Sequence, residues 1–125
     1  MRSSKERVIE LLNKWKSDAT PIMVVFKGAL NRVNFAITRG KVVDVTEDAV
    51  SVADATTCTM LDFSLSAADF NIGSPVERDL LSEQLRSRNV EVLEVFPWTA
   101  EDRGTAEALT LFPLLPAIDV TTLRQ

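Results

Sequence analysis

Histidine and tyrosine are absent from this chain of 125 residues, and cysteine occurs once. Without histidine the sequence lacks the commonest general base, the usual zinc ligand and the side chain that changes charge near neutral pH. A lone Cys58 can form neither an intrachain disulfide nor a CxxC pair, which fits a reducing compartment. Its apolar neighbours Met60 and Leu61 mark it as a small buried hydrophobe rather than a nucleophile. No window approaches the roughly 20 apolar residues that cross a bilayer. Glu6 and Glu10 interrupt the N-terminal stretch, so no signal peptide is expected either. The expectation is a cytoplasmic protein without a membrane partner.

Motifs that carry chemistry are also missing. The phosphate-loop pattern GxxxxGK[ST], the dinucleotide fingerprint GxGxxG and the nucleophile elbow GxSxG do not occur. Asp44, Glu47, Asp48, Asp54 and Asp62 lack the close alternation of a calcium loop and read as turn and strand-edge residues. No catalytic residue, metal ligand or cofactor is assigned, and a non-enzymatic protein is expected.

What the chain does contain is a charge asymmetry and a legible pattern of elements. Residues 1–41 hold nine Lys and Arg against three Asp and Glu, and residues 42–125 hold five against fifteen. Such a division can give one basic and one acidic face. Ser3 and Glu6 have capping-box spacing, and Val8, Leu11, Leu12 and Trp15 recur at i, i+3, i+4 and i+7, which predicts a helix over 1–18. Ile22 to Phe26 is a continuous apolar run after Pro21, suited to a strand buried on both faces. Val33, Phe35 and Ile37 alternate with Asn34, Ala36 and Thr38. Val42–Val45, Val50–Val52 and Cys58–Leu65 complete five short strands. Gly40 is either the second residue of a tight hairpin or a bend in one long strand, and the parity of the apolar residues leans toward the bend. The shared interior is expected to hold Val24, Phe35, Val43, Val52 and Phe63.

Beyond residue 66, Ser74-Pro75-Val76-Glu77 reads as the start of a second helix, with Val76, Leu80, Leu81 and Leu85 as its apolar stripe. Val90–Phe96 and Ala106–Phe112 read as further strands. The chain is therefore expected to be one mainly β domain with flanking helices (α+β), covering 1–125. Its parts are the N-terminal helix at 1–18, a small five-stranded barrel at 21–66, and a helix with a β-rich extension at 67–125.

The short N-terminal helix, Pro21, the apolar first strand, Gly40-Lys41-Val42-Val43 and Thr46-Glu47-Asp48-Ala49-Val50-Ser51-Val52 together resemble the Sm-like family of small SH3-like barrels. The resemblance covers roughly residues 5–65. It implies a strongly bent five-stranded barrel, subunits that form rings by edge-strand pairing, and RNA as a possible ligand. The loop Asp54-Ala55-Thr56-Thr57 differs from that family, where a basic residue stands.

Two surface expectations follow. Lys27, Arg32, Arg39 and Lys41 lie near strand ends in this reading and form a candidate basic rim for a nucleic-acid backbone. Apolar residues on the second strand faces (Met23, Val25, Val42, Cys58, Met60) call for a cover, either from this chain or from another copy in a homo-oligomer. The proline-bracketed tail Pro113-Leu114-Leu115-Pro116 is a candidate segment for docking a protein partner.

Overall fold

The structure is a computed structural model that describes residues 4–27, 33–54, 57–66, 69–76, 80–96 and 108–114. The first helix, α1, runs Lys5–Ser17. Its N-cap is Ser4, one residue later than expected, whose side chain accepts a hydrogen bond from the Arg7 backbone N–H at 3.3 Å. Val8, Leu12 and Trp15 are its buried face, with Leu11 half-buried beside them.

Four strands follow within the first half of the chain: β1 (Ile22–Lys27), β2 (Val33–Val45), β3 (Ala49–Asp54) and β4 (Thr59–Ser64). Next come β5 (Asp69–Gly73), α2 (Leu80–Ser87), β6 (Val92–Phe96) and β7 (Ala108–Pro113). The expected closed five-stranded barrel is not what forms. All seven strands make one open antiparallel sheet, in the order β4-β3-β2-β1-β7-β6-β5. The strands assigned to a separate extension are part of this sheet, and β7 pairs with β1 from Ile22–Pro113 to Lys27–Ala108.

The physical reason lies in β1. Ile22 and Val24 face one apolar cluster, while Met23 and Val25 face the other. A strand that is apolar on both faces belongs at the centre of a sheet, hydrogen-bonded on both sides. Neighbouring β2 satisfies one side, and only a distant segment could satisfy the other. Pro113 is tolerated because it closes the strand, where no further ladder donor is required. Leu114 then donates its backbone N–H to the Pro21 carbonyl at 2.9 Å and packs on the second cluster, so the start of the proline-bracketed tail is core. Leu115 and Pro116 lie outside the described residues.

The sheet is open but strongly curled. In a flat sheet, six steps of roughly 4.8 Å would hold the β4 and β5 edges about 29 Å apart. Yet the chain passes from Ser64 to Asp69 in five residue steps, which reach at most about 18 Å. The curl makes a concave face whose apolar cluster joins Val50 and Val52 of β3 with Phe70 of β5 and Val95 of β6, and α1 fills it. Helix α2 covers the other face through Leu81 and Leu85, which pack with Met23, Val25, Val92 and Phe112.

Much of the bend is in β2, which continues through Gly40 as a single strand. Gly40 is buried opposite Ile22, and a Cβ there would stand 2.7 Å from Val52 Cγ1 and 3.0 Å from Ile37 Cγ2. Register shifts between Ile37 and Gly40 and between Val42 and Asp44 are bulges that sharpen the turn. They also change parity. Val42 is buried and Val43 is 43% exposed, the reverse of the expected assignment. Val24 and Val52 do lie in the interior and Phe63 packs against it. The side chain of Phe35 is outside the described set.

The second helix also departs from expectation. Its described span begins at Leu80, and Pro75 and Val76 precede it in irregular backbone. Val76 and Leu80 are exposed rather than part of the buried stripe. The segment before the helix is instead fastened to the sheet by Glu94. This wholly buried carboxylate accepts from Asn71 Nδ2 and from the Val76 backbone N–H, each at 2.8 Å.

Candidate binding surface

Alternation sends two sets of β3 and β4 side chains to opposite faces. Val50, Val52, Leu61 and Phe63 turn to the concave core. Ser51, Ala53, Met60 and Asp62 turn outward, in register with β2 as the rows Lys41–Ala53–Met60 and Asp44–Ser51–Asp62. Among the described residues no helix covers this outer face. Small residues on the central strand keep it low, Met60 is 63% exposed, and Asp62 Oδ1 accepts from Ser51 Oγ at 2.5 Å.

The structure brings two members of the expected basic rim together and separates a third. Arg39 and Lys41 flank Gly40 and are both exposed. Lys27 sits at the other end of β1, paired with Val33 and Ala108. It is five residues from Ile22, the partner of Gly40, or roughly 16 Å along the strand. Arg32 lies outside the described residues. The Arg39–Lys41 pair is also bordered by exposed Asp44, so the surface around it is of mixed sign.

A second concavity, of about 400 Å³, runs between α1 and the β5 edge, lined by Arg7, Glu10, Leu11, Lys14, Ile72 and Glu91. Glu10 lies three residues from Arg7 and four from Lys14, so the two cations have a carboxylate between them on one helix face. With Glu91 opposite, the lining is balanced in charge and offers no excess for an anion. A smaller hollow of about 250 Å³ near Arg86 has its guanidinium engaged: Nη1 donates to Pro75 O at 2.8 Å and Nη2 pairs with Glu83 at 2.6 Å.

Carboxylates with described partners serve the scaffold. Asp48 pairs with Lys5 at 3.8 Å and accepts from Ser66 Oγ, which ties α1 to the β2–β3 turn. Cys58 is not the buried hydrophobe expected from its neighbours. It occupies an exposed turn at φ 54° between β3 and β4. No group of three potential metal ligands is found among the described residues, and no described helix is long and apolar enough to cross a membrane.

The outer face was legible in part, through Met60, whereas Met23, Val25 and Val42, expected to share it, are buried. Its signal was present: Leu61, Phe63 and Leu65 at one parity leave Met60, Asp62 and Ser64 at the other. Compared with known proteins, the chain matches no family model, no curated protein and no solved structure.

Proposed function

We infer that this chain is a non-enzymatic binding module that engages a partner through the outer face and free edge of β2–β3–β4. The observation that carries the reading is the uncovered Lys41–Ala53–Met60 row, which ends in a large exposed apolar side chain on an edge strand. Of the four exposed large hydrophobics among the described residues, two, Val43 and Met60, are on these strands. The absence of histidine and the structural engagement of Glu94, Asp62 and Asp48 favour binding over catalysis.

A nucleic-acid reading of the same region depends on Arg39 and Lys41. Two phosphate contacts on a single strand would give a salt slope of only about −1.4 in log–log form. No aromatic residue stands on the outer rows to stack a base. A protein partner fits this mixture of charge, small residues and methionine better.

Photo-crosslinking from position 60 tests the reading. A benzophenone amino acid replacing Met60 is expected to give a discrete crosslinked product in cells, whereas the same group replacing exposed Asn13 on α1 gives none. Equal labelling from both positions, or none from position 60, would contradict it.

A further inference from the structure

We propose that the partner of this surface is a second copy of the chain, joined by antiparallel pairing of β4 with β4 across a two-fold axis centred on Leu61. The proposal rests on the free-edge part of that reading and names the occupant of the edge.

The backbone of β4 decides which groups are free. Leu65 donates its N–H to the Asp48 carbonyl at 2.8 Å, one step beyond the Ala49–Ser64 pair. Hydrogen-bonded pairs alternate along an antiparallel ladder. Thr59, Leu61 and Phe63 therefore turn their N–H and C=O groups toward β3, and Met60, Asp62 and Ser64 turn theirs away. Among the described residues nothing pairs with that outer edge. Natural edge strands are guarded by charged side chains, lysine above all, by proline, by bulges or by shortness. β4 has six residues in unbroken register, with no Lys, no Pro and no bulge, and its single charge, Asp62, accepts from Ser51 of the neighbouring strand.

The side chains then select a register. Directly opposed residues on antiparallel strands share a face, so a two-fold axis must fall on a residue. Centring on Asp62 sets two carboxylates opposite each other, which is unfavourable. Centring on Leu61 sets Met60 against the partner's Asp62, Thr59 against the partner's Phe63, and Leu61 against its own copy on the core side. All of Thr59–Ser64 except Ser64 finds a partner within β4 itself, and Ser64 meets the partner's Cys58. Every Met60–Asp62 pair uses groups that already face outward. Isologous pairing consumes the only β4 edge on each chain, so assembly stops at two. Stacking of outer faces is a poorer alternative: three strands of six residues present roughly 300 Å², against about 800 Å² per partner in a stable interface. Edge pairing also buries little area, so the dimer belongs to the weak, concentration-dependent class.

Sedimentation over a range of concentration, combined with a cysteine variant, tests this. Leu61 faces its own copy in a non-hydrogen-bonded pair, where Cα atoms are about 4.5 Å apart, within disulfide range. In a Cys58→Ser background, Leu61→Cys is expected to give mostly covalent dimer under mild oxidation. Phe63→Cys, about 13 Å from its own copy in this register, is expected to give at least tenfold less. Met60→Pro removes only an outward N–H, so it should leave circular dichroism and thermal unfolding near wild type while abolishing the dimer. A strict monomer at several hundred micromolar, a larger ring, a dimer indifferent to Met60→Pro, or equal crosslinking at 61 and 63 would overturn the proposal. If position 60 instead crosslinks to a different protein while the chain stays monomeric, the second-copy assignment fails and the binding surface stands.

Discussion

The Thr110 hydroxyl lies fully buried in β7 with no hydrogen-bond partner among the described residues, opposite Glu94 on one side and Val25 on the other. A buried hydroxyl that has lost water and gained nothing costs about 1–3 kcal/mol. Valine has nearly the same shape and no polar group to satisfy. Thr110→Val is therefore expected to stabilise the protein by about 1 kcal/mol, a rise of about 4 °C in Tm for a chain of this size. Thermal unfolding followed by circular dichroism reads this directly, and a lower Tm would mean that the hydroxyl has a partner. Glu94, its cross-strand neighbour, shows the contrasting case. Its carboxylate is equally buried but accepts two hydrogen bonds, and it holds the chain at Val76. Nothing in the sequence separated these two positions, because burial of a polar residue is decided by strands that are distant in the chain.

At the scale of elements, α1 was the most legible part. The i, i+3, i+4, i+7 spacing of Val8, Leu11, Leu12 and Trp15 is local information, and α1 follows it. Both helices end in the same way: Thr20 N–H reaches Trp15 O while Ala19 N–H reaches Lys16 O, and Val90 N–H reaches Leu85 O while Asn89 N–H reaches Arg86 O. These are Schellman closures with Ala19 and Asn89 in the left-handed region normally taken by glycine. The first of these ends was expected at residue 18, and Asp18 is its C-cap, although neither closure uses glycine. In β2 the bend at Gly40 was legible, but the face of Val43 was not. Two bulges shift the alternation, and bulges leave little local trace. Gly40 is fixed by space rather than by backbone angle. Gly40→Ala should cost about 1–3 kcal/mol by overpacking against Val52 and Ile37. Chemical denaturation would measure it, and Val52→Ala in the same background should recover part of the loss because the two side chains compete for one volume. A cost unchanged by Val52→Ala would place the strain elsewhere.

For the whole molecule, the departure from a five-stranded barrel has a single origin. The strands of the first half were found close to their true positions, but the pairing of β1 with β7 joins residues more than eighty positions apart. Periodicity reports which residues are buried and says little about which strand lies beside which. The double-sided apolar run Ile22–Phe26 did contain the demand for a second neighbour, since one hairpin cannot satisfy a central strand. Once β7 occupies that place, β4 and β5 become the edges, and the uncovered face and the β4 edge fall on β2–β3–β4. The proposed binding surface is thus a consequence of the sheet order.

Native-state hydrogen exchange, read amide by amide in dilute solution, tests that order most directly. The account predicts that amides of Leu109–Leu111 exchange only through global unfolding, at the same free energy as Val24 and Val25. It also predicts that Leu61 and Phe63 are protected while Met60 and Asp62 exchange quickly. A β7 that exchanges early and independently, while residues 22–65 stay protected as a unit, would contradict it.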